Sequence, residues 1–212
     1  MTILVLAPHP DDESIGMGGT IAKFAAEGER VVVVVFSGGE EANFWQKQDA
    51  VRTTRMRECI KAGKILGVAD IIFFELADLT LRTEIVERDV ESRLREIIDK
   101  EQPRMVFTTA VDDVFPDHRA VANLIFSLKK QHYPDLAVWV YTVWNPLHIT
   151  HREQPRLVVN ITKTFSQKWR AIHTYKSQKL STFQLIPTVL LRGLVHGLRH
   201  RMSMAEVFVK VP

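Results

Sequence analysis

Cysteine is almost missing. Cys59 is the only one in 212 residues, which excludes a disulfide framework and a thiolate-rich structural metal site and makes a reducing compartment the simplest setting. No stretch approaches the roughly 20 apolar residues that a membrane-spanning helix requires. The longest apolar region, Leu185 to Leu198, is interrupted by Pro187, Arg192 and His196. The short apolar run after Met1 has no basic leader, and removing it as a signal would delete a strand, so it reads as structure and the chain as cytoplasmic. Internal repeats and low-complexity linkers are absent too, which leaves a single domain over residues 1–212. Charge is in no large excess: the net is +3, with 46% of residues hydrophobic and 25% charged, a composition that supports a sizeable core. The basic residues that gather between Lys163 and Arg201 lack interleaved aromatics or a binding motif. They read as a solvated helical face rather than a nucleic-acid surface.

What is present is a regular alternation. Apolar, β-branched runs at Thr2–Ala7, Arg30–Phe36, Ile71–Phe74, Met105–Thr109, Ala137–Trp144, Arg156–Asn160 and Val207–Val209 read as strands. Between them, helical spacing predicts a helix stopped by Gly28, one over Gln48–Leu66, and one carrying Ile85 through Ile98 and closed by Pro103. Further helices are expected around Val121–Leu128, over Lys163–Tyr175 and over Leu180–Arg201. The pattern implies an α/β fold of three layers, α/β/α, with a mostly parallel sheet covered on both faces. Right-handed connections with one reversal of winding place strand four beside strand one. Neighbouring strands lie about 4.8 Å apart, so the loops that follow those two strands meet.

The first of those loops is Pro8-His9-Pro10-Asp11-Asp12-Glu13. Prolines and adjacent carboxylates cannot continue a buried strand, so the chain emerges here into a polar site. His9 and Asp12 are donors suited to zinc or another divalent ion, which leaves Asp11 free to handle protons. Taken alone, the carboxylates are equally well explained as charges complementing a helix N-terminus. The loop after strand four supplies the second imidazole, His118. His9, Asp12 and His118 then make three ligands with an open position, the arrangement of a catalytic site.

His-Pro-Asp-Asp-Glu after strand one, Pro116-Asp117-His118 after strand four and Arg55-Met-Arg-Glu58 in the second helix resemble the PIG-L/LmbE-like zinc-dependent deacetylases. Lys168 with Ala171, Tyr175-Lys-Ser177-Gln178 and Ala205-Glu206-Val-Phe208 are similar to that family's closing motifs, so the likeness covers essentially the whole chain. It implies a Rossmann-like fold and one Zn2+ held by His9, Asp12 and His118. It further implies Asp11 as general base and an N-acetylated amino sugar or its conjugate, of N-acetylglucosamine type, as substrate. Arg55 and Asp78 become candidate substrate-binding residues, the first otherwise a surface partner for Glu58 and the second otherwise a turn cap. Trp45, after Gly38-Gly39, is placed to cover a sugar ring. No nucleic-acid partner is expected, and a homo-oligomer is compatible with the sequence.

One departure stands out. Where the family carries an oxyanion-stabilising His two residues before Asp117, this chain has Phe115. Asp117, the other candidate catalytic residue, loses the imidazole it would orient and is left to cap the following helix. Three alternatives stay open: His148 or His151 substitutes, the metal alone suffices, or activity is low. Asn160, where relatives carry Asp, is a milder deviation. A metal-bearing sugar-binding or regulatory protein and a non-haem iron oxygenase are the competing classes.

Overall fold

The computed structural model describes residues 1–40, 48–144 and 154–212, with the backbone alone at 179–183. Seven strands, β1 (Thr2–Ala7), β2 (Arg30–Ser37), β3 (Asp70–Leu76), β4 (Met105–Thr108), β5 (Ala137–Val140), β6 (Arg156–Asn160) and β7 (Ala205–Lys210), form one sheet in the order β3-β2-β1-β4-β5-β7-β6. The first five run parallel, and β4 pairs with β1 through Leu4 and Val106, as the topology required. The helices are α1 (Asp12–Ala26), α2 (Gln48–Leu66), α3 (Leu81–Glu87), α4 (Val90–Glu101), α5 (Pro116–Gln131), α6 (Phe165–Ile172) and α7 (Lys179–Arg199).

Strand periodicity decides which residues meet which layer. Ile3, Val5 and Ala7 of β1 point to one core with Ile21 of α1, Leu66 of α2, Ile172 of α6 and Val189 of α7. Leu4 and Leu6 point the opposite way, to a second core with Leu81, Leu94 and Ile125 of α3, α4 and α5. All five β1 positions from Ile3 to Ala7 are fully buried. A continuous apolar run of this kind is what a strand covered on both faces needs.

The structure corrects several boundaries. The single helix expected over Ile85–Ile98 is two, broken at Asp89, whose φ of 47° is left-handed and cannot continue a helix. Val86, counted in the apolar pattern, is exposed. Strand five ends at Val140 rather than Trp144, because its partner β4 ends at Thr108. Beyond it the Tyr141 ring turns inward and its hydroxyl donates to Leu6 O at 2.8 Å. The last strand is longer than expected and inserts antiparallel between β5 and β6.

The solvated reading of the late basic residues fails at two positions. Lys168 is buried against Glu206, and Arg192 donates to the carbonyls of Thr142 and Val143. Glu206 has a further task. Helix α1 departs from helical geometry at Met17, φ −145°, which strips intrahelical partners from the next N–H groups. The carboxylate of Glu206 accepts from Gly19 N (3.2 Å) and Thr20 N (2.7 Å), so the final strand caps the second half of the first helix.

Candidate metal centre

Four parallel strands deliver their carboxyl ends to one crevice. His9, Asp11 and Asp12 follow β1; Gly39 and Glu40 follow β2; Asp78 follows β3; Asp113, Asp117 and His118 follow β4. One ligand atom from each of His9, Asp12 and His118 lies within 4.8 Å of the other two. His9 Nδ1 and His118 Nε2 are 3.4 Å and 3.3 Å from the same oxygen, Asp12 Oδ2. Two imidazoles and a carboxylate converging on one point, at 1% exposure for His118 and 3% for Asp12, fit the donor preferences of a divalent transition ion.

Each of the two imidazoles has a carboxylate behind it. His9 Nε2 faces Asp78 Oδ1 at 3.0 Å and Asp117 Oδ2 at 3.4 Å. His118 Nδ1 lies 3.2 Å from Asp113 Oδ2, an ion-pair contact rather than an aligned hydrogen bond. A carboxylate behind an imidazole fixes which nitrogen is offered forward and raises its basicity. The charges follow. Burial opposes protonation of His118, yet Asp12 and Asp113 overcome it and raise its pKa to about 9. Burial likewise favours protonated Asp12, and the two histidines outweigh it, keeping Asp12 well below the usual carboxylate range.

Asp11 is not among these three. Its backbone sits at φ 119°, in the left-handed region that non-glycine residues avoid, and its N–H is caught by Glu13 Oε2 at 3.1 Å. Burial raises its carboxyl to about 7, offset in part by the Arg55 guanidinium 3.3 Å away. Of this carboxyl and the neighbouring imidazole, 12% of the Asp11 side chain and 14% of His9 reach solvent. The site opens on this side.

Arg55 is turned inward, at 4% exposure. Its Nη2 donates to Pro10 O at 2.8 Å and its Nη1 to Gly39 O at 2.7 Å. Gly39 is at φ 63°, and a Cβ there would collide with the guanidinium. The alternative of a surface pairing of Arg55 with Glu58 is not what forms. Glu58 instead accepts from Ser177 N (3.0 Å) and Ser177 Oγ (2.6 Å). Asp117 does not cap α5: its oxygens accept from Leu79 N (2.8 Å) and Leu81 N (3.3 Å), tying the β3 loop to the centre. Asp78 reaches His9 and Leu79 N rather than serving only as a turn cap. The Phe115 ring packs between His118 (5.4 Å) and Trp144 (5.1 Å), an apolar wall where an imidazole was looked for. Trp45, His148 and His151 lie outside the described residues.

Sequence reasoning missed Asp113, Glu40 and Glu13. Glu40 bridges Arg52 (2.7 Å) and Asp78 N (3.2 Å). Glu13 accepts from Ser14 Oγ and Tyr175 OH, both at 2.6 Å. For Glu13 the available signal was the closing motif, whose Tyr175 meets the first loop; Asp113 and Glu40 carried none.

The family profile described as "PIG-L: GlcNAc-PI de-N-acetylase" matches residues 4–129, more than half of the sequence. The chain belongs to the PIG-L family. A probable N-acetyl-alpha-D-glucosaminyl L-malate deacetylase 2 of Bacillus cereus is 27% identical over 190 residues, 83% of each chain. Among solved structures, N,N'-diacetylchitobiose deacetylase from Pyrococcus horikoshii, complexed with its inhibitor MPG, superposes with TM-score 0.81. It is 25% identical, over 100% of this chain and 84% of that one. PIG-L relatives are not all named deacetylases: 4-oxalmesaconate hydratase of Pseudomonas putida is 31% identical over 57% of this chain and 48% of its own.

Proposed function

We propose that this PIG-L protein is a zinc-dependent deacetylase that hydrolyses the N-acetyl amide of an amino sugar or amino-sugar conjugate. His9, Asp12 and His118 would hold the ion and Asp11 would act as general base. The observation that carries the reading is the pairing of a three-donor centre with a carboxyl that stands beside it without joining it. Relatives named as deacetylases of N-acetylglucosaminyl malate and of diacetylchitobiose support the substrate class.

A divalent ion at this centre would polarise the amide carbonyl and lower the pKa of water toward about 7. The remaining work falls to the chain. Water oxygen bonds to the acetyl carbon while Asp11 accepts its proton; the carbon–nitrogen bond then breaks as Asp11 returns that proton to the departing nitrogen. The products are acetate and a free amine. A carboxyl that stands beside the donors without joining them is free for both transfers. Arg55 positions Asp11 through the loop it fastens. Asp78 and Asp117 orient His9. Phe115, packed between His118 and Trp144, offers no hydrogen bond to a developing oxyanion.

The hydratase relative supplies the second reading, a hydration reaction at the same centre. The test compares parent, Asp11→Asn and His118→Ala proteins. Asp11→Asn should keep the parent's metal content while acetate release from N-acetylglucosamine conjugates drops by at least about 10²-fold; His118→Ala should lose metal. Full acetate release by Asp11→Asn, or turnover of an unsaturated acid alone, refutes the proposal.

A further inference from the structure

Helix α7 turns an apolar face outward. Leu185, Val189, Gly193 and Gly197 follow its inner side, where Gly197 brings the helix against the carbonyls of Met202 and Ser203. The opposite side carries Pro187, Leu191, Leu194, Val195 and Leu198. Three of these leucines are exposed, at 63%, 45% and 76%. Their spacing of three and four residues puts them on one stripe. A solvated helix face is ordinarily polar, so this face calls for a partner.

The charge around it says which. From residue 154 onward the chain has ten Lys and Arg and one acid, Glu206, and Glu206 is buried on Lys168. The surface of this region therefore offers no acidic side chain. Arg199, His200 and Arg201 are exposed at the helix end. His196 on the same helix is pushed down to about 4, first by burial and then by Arg192, Arg199, His200 and Arg156, which marks how closely the cations crowd there. A second copy presenting this same face about a two-fold axis would bring like charge against like charge. Nucleic acid would use the cations but leave the leucines idle, because stacking needs aromatic rings and the stripe has none.

We propose that the outward face of α7 docks on an anionic lipid bilayer, with Leu191, Leu194 and Leu198 entering the interfacial region and the basic residues at the helix end meeting lipid phosphates. The helix lies in the surface plane, since no helix among the described residues is long and apolar enough to cross a membrane. Its inner edge is fastened to the centre's surroundings: Arg192 holds the carbonyls of Thr142 and Val143, next to Trp144 and Phe115. The docked surface would thus lie beside the mouth of the metal centre.

The test is cosedimentation of the full chain with vesicles of phosphatidylcholine alone or mixed with phosphatidylglycerol. The parent should pellet with the mixed vesicles only, and less so at high salt. A Leu191→Gln/Leu194→Gln/Leu198→Gln variant, checked for an unchanged melting curve, should bind at least about tenfold more weakly. An Arg199→Gln/Arg201→Gln variant should lose the preference for phosphatidylglycerol. A parent that stays in the supernatant, or a triple variant that binds as the parent does, overturns the proposal. So does a dimer in sedimentation velocity that the triple variant abolishes without any vesicle binding, which would assign the face to a second copy.

Discussion

Replacing Arg55 by Met tests whether the first loop is fastened as described. The guanidinium gives charged donors to two carbonyls, Pro10 O and Gly39 O, and faces the Asp11 carboxyl, all buried. Each charge-assisted hydrogen bond contributes roughly 1.5–3 kcal/mol, and removing one partner of a buried ion pair costs roughly 3–5 kcal/mol. These effects overlap, because one side chain makes all three contacts. The expected loss is about 4 kcal/mol, or roughly 10 °C in Tm for a chain of this size. Urea unfolding of Arg55→Met, Asp11→Asn and the double variant separates the ion pair from the carbonyl anchors. Asp11→Asn should recover part of the loss, since the orphaned charge is then gone. A single-variant loss below about 1 kcal/mol would refute the reasoning, because the prolines alone would then be holding the loop.

Glu206→Gln leaves Lys168 buried without a counter-charge, so stability should fall by about 3–5 kcal/mol in thermal unfolding, with partial recovery in Glu206→Gln/Lys168→Met. For His196 the sign is set by a folded pKa near 4 against an ordinary 6.5, lowered by burial and then by nearby arginines. The unfolded chain binds the extra proton between those values, so this stability is whole above pH 6.5 and drains away as pH falls toward 4. His196→Leu should therefore lose less stability than the parent between pH 6.5 and 4, read by urea midpoints at both ends. Dialysis against chelator should abolish acetate release and lower the parent's Tm, and zinc should restore both. His118→Ala should show neither response.

The parallel half of the fold was legible because burial on both faces writes itself as continuous β-branched runs, as in Arg30–Phe36, and the helices between follow from Gly28 and Gly67 at their ends. The convergence of His9, Asp12 and His118 was legible because winding rules put the first and fourth strands side by side. What escaped was everything settled by contacts between distant segments. Asp89 gives no sign in the local pattern that the chain turns left-handed there. Arg55 lies on a helix between Arg52, which pairs with Glu40, and the exposed Arg57, so its inward turn depends on the carbonyls that β2 and the first loop happen to present. Asp113 looks like half of an acidic loop pair until His118 is seen beside it. The antiparallel insertion of β7 between β5 and β6 joins segments distant in sequence, which no periodicity announces.

The cap that Glu206 places on the broken first helix also orders events in time. The candidate metal donors His9, Asp12 and His118 all precede residue 119, but the helix that carries Asp12 is finished by a carboxylate made almost ninety residues later. A nascent chain that has not reached Glu206 would lack this cap, leaving the N–H groups of Gly19 and Thr20 to water until the last strand is made.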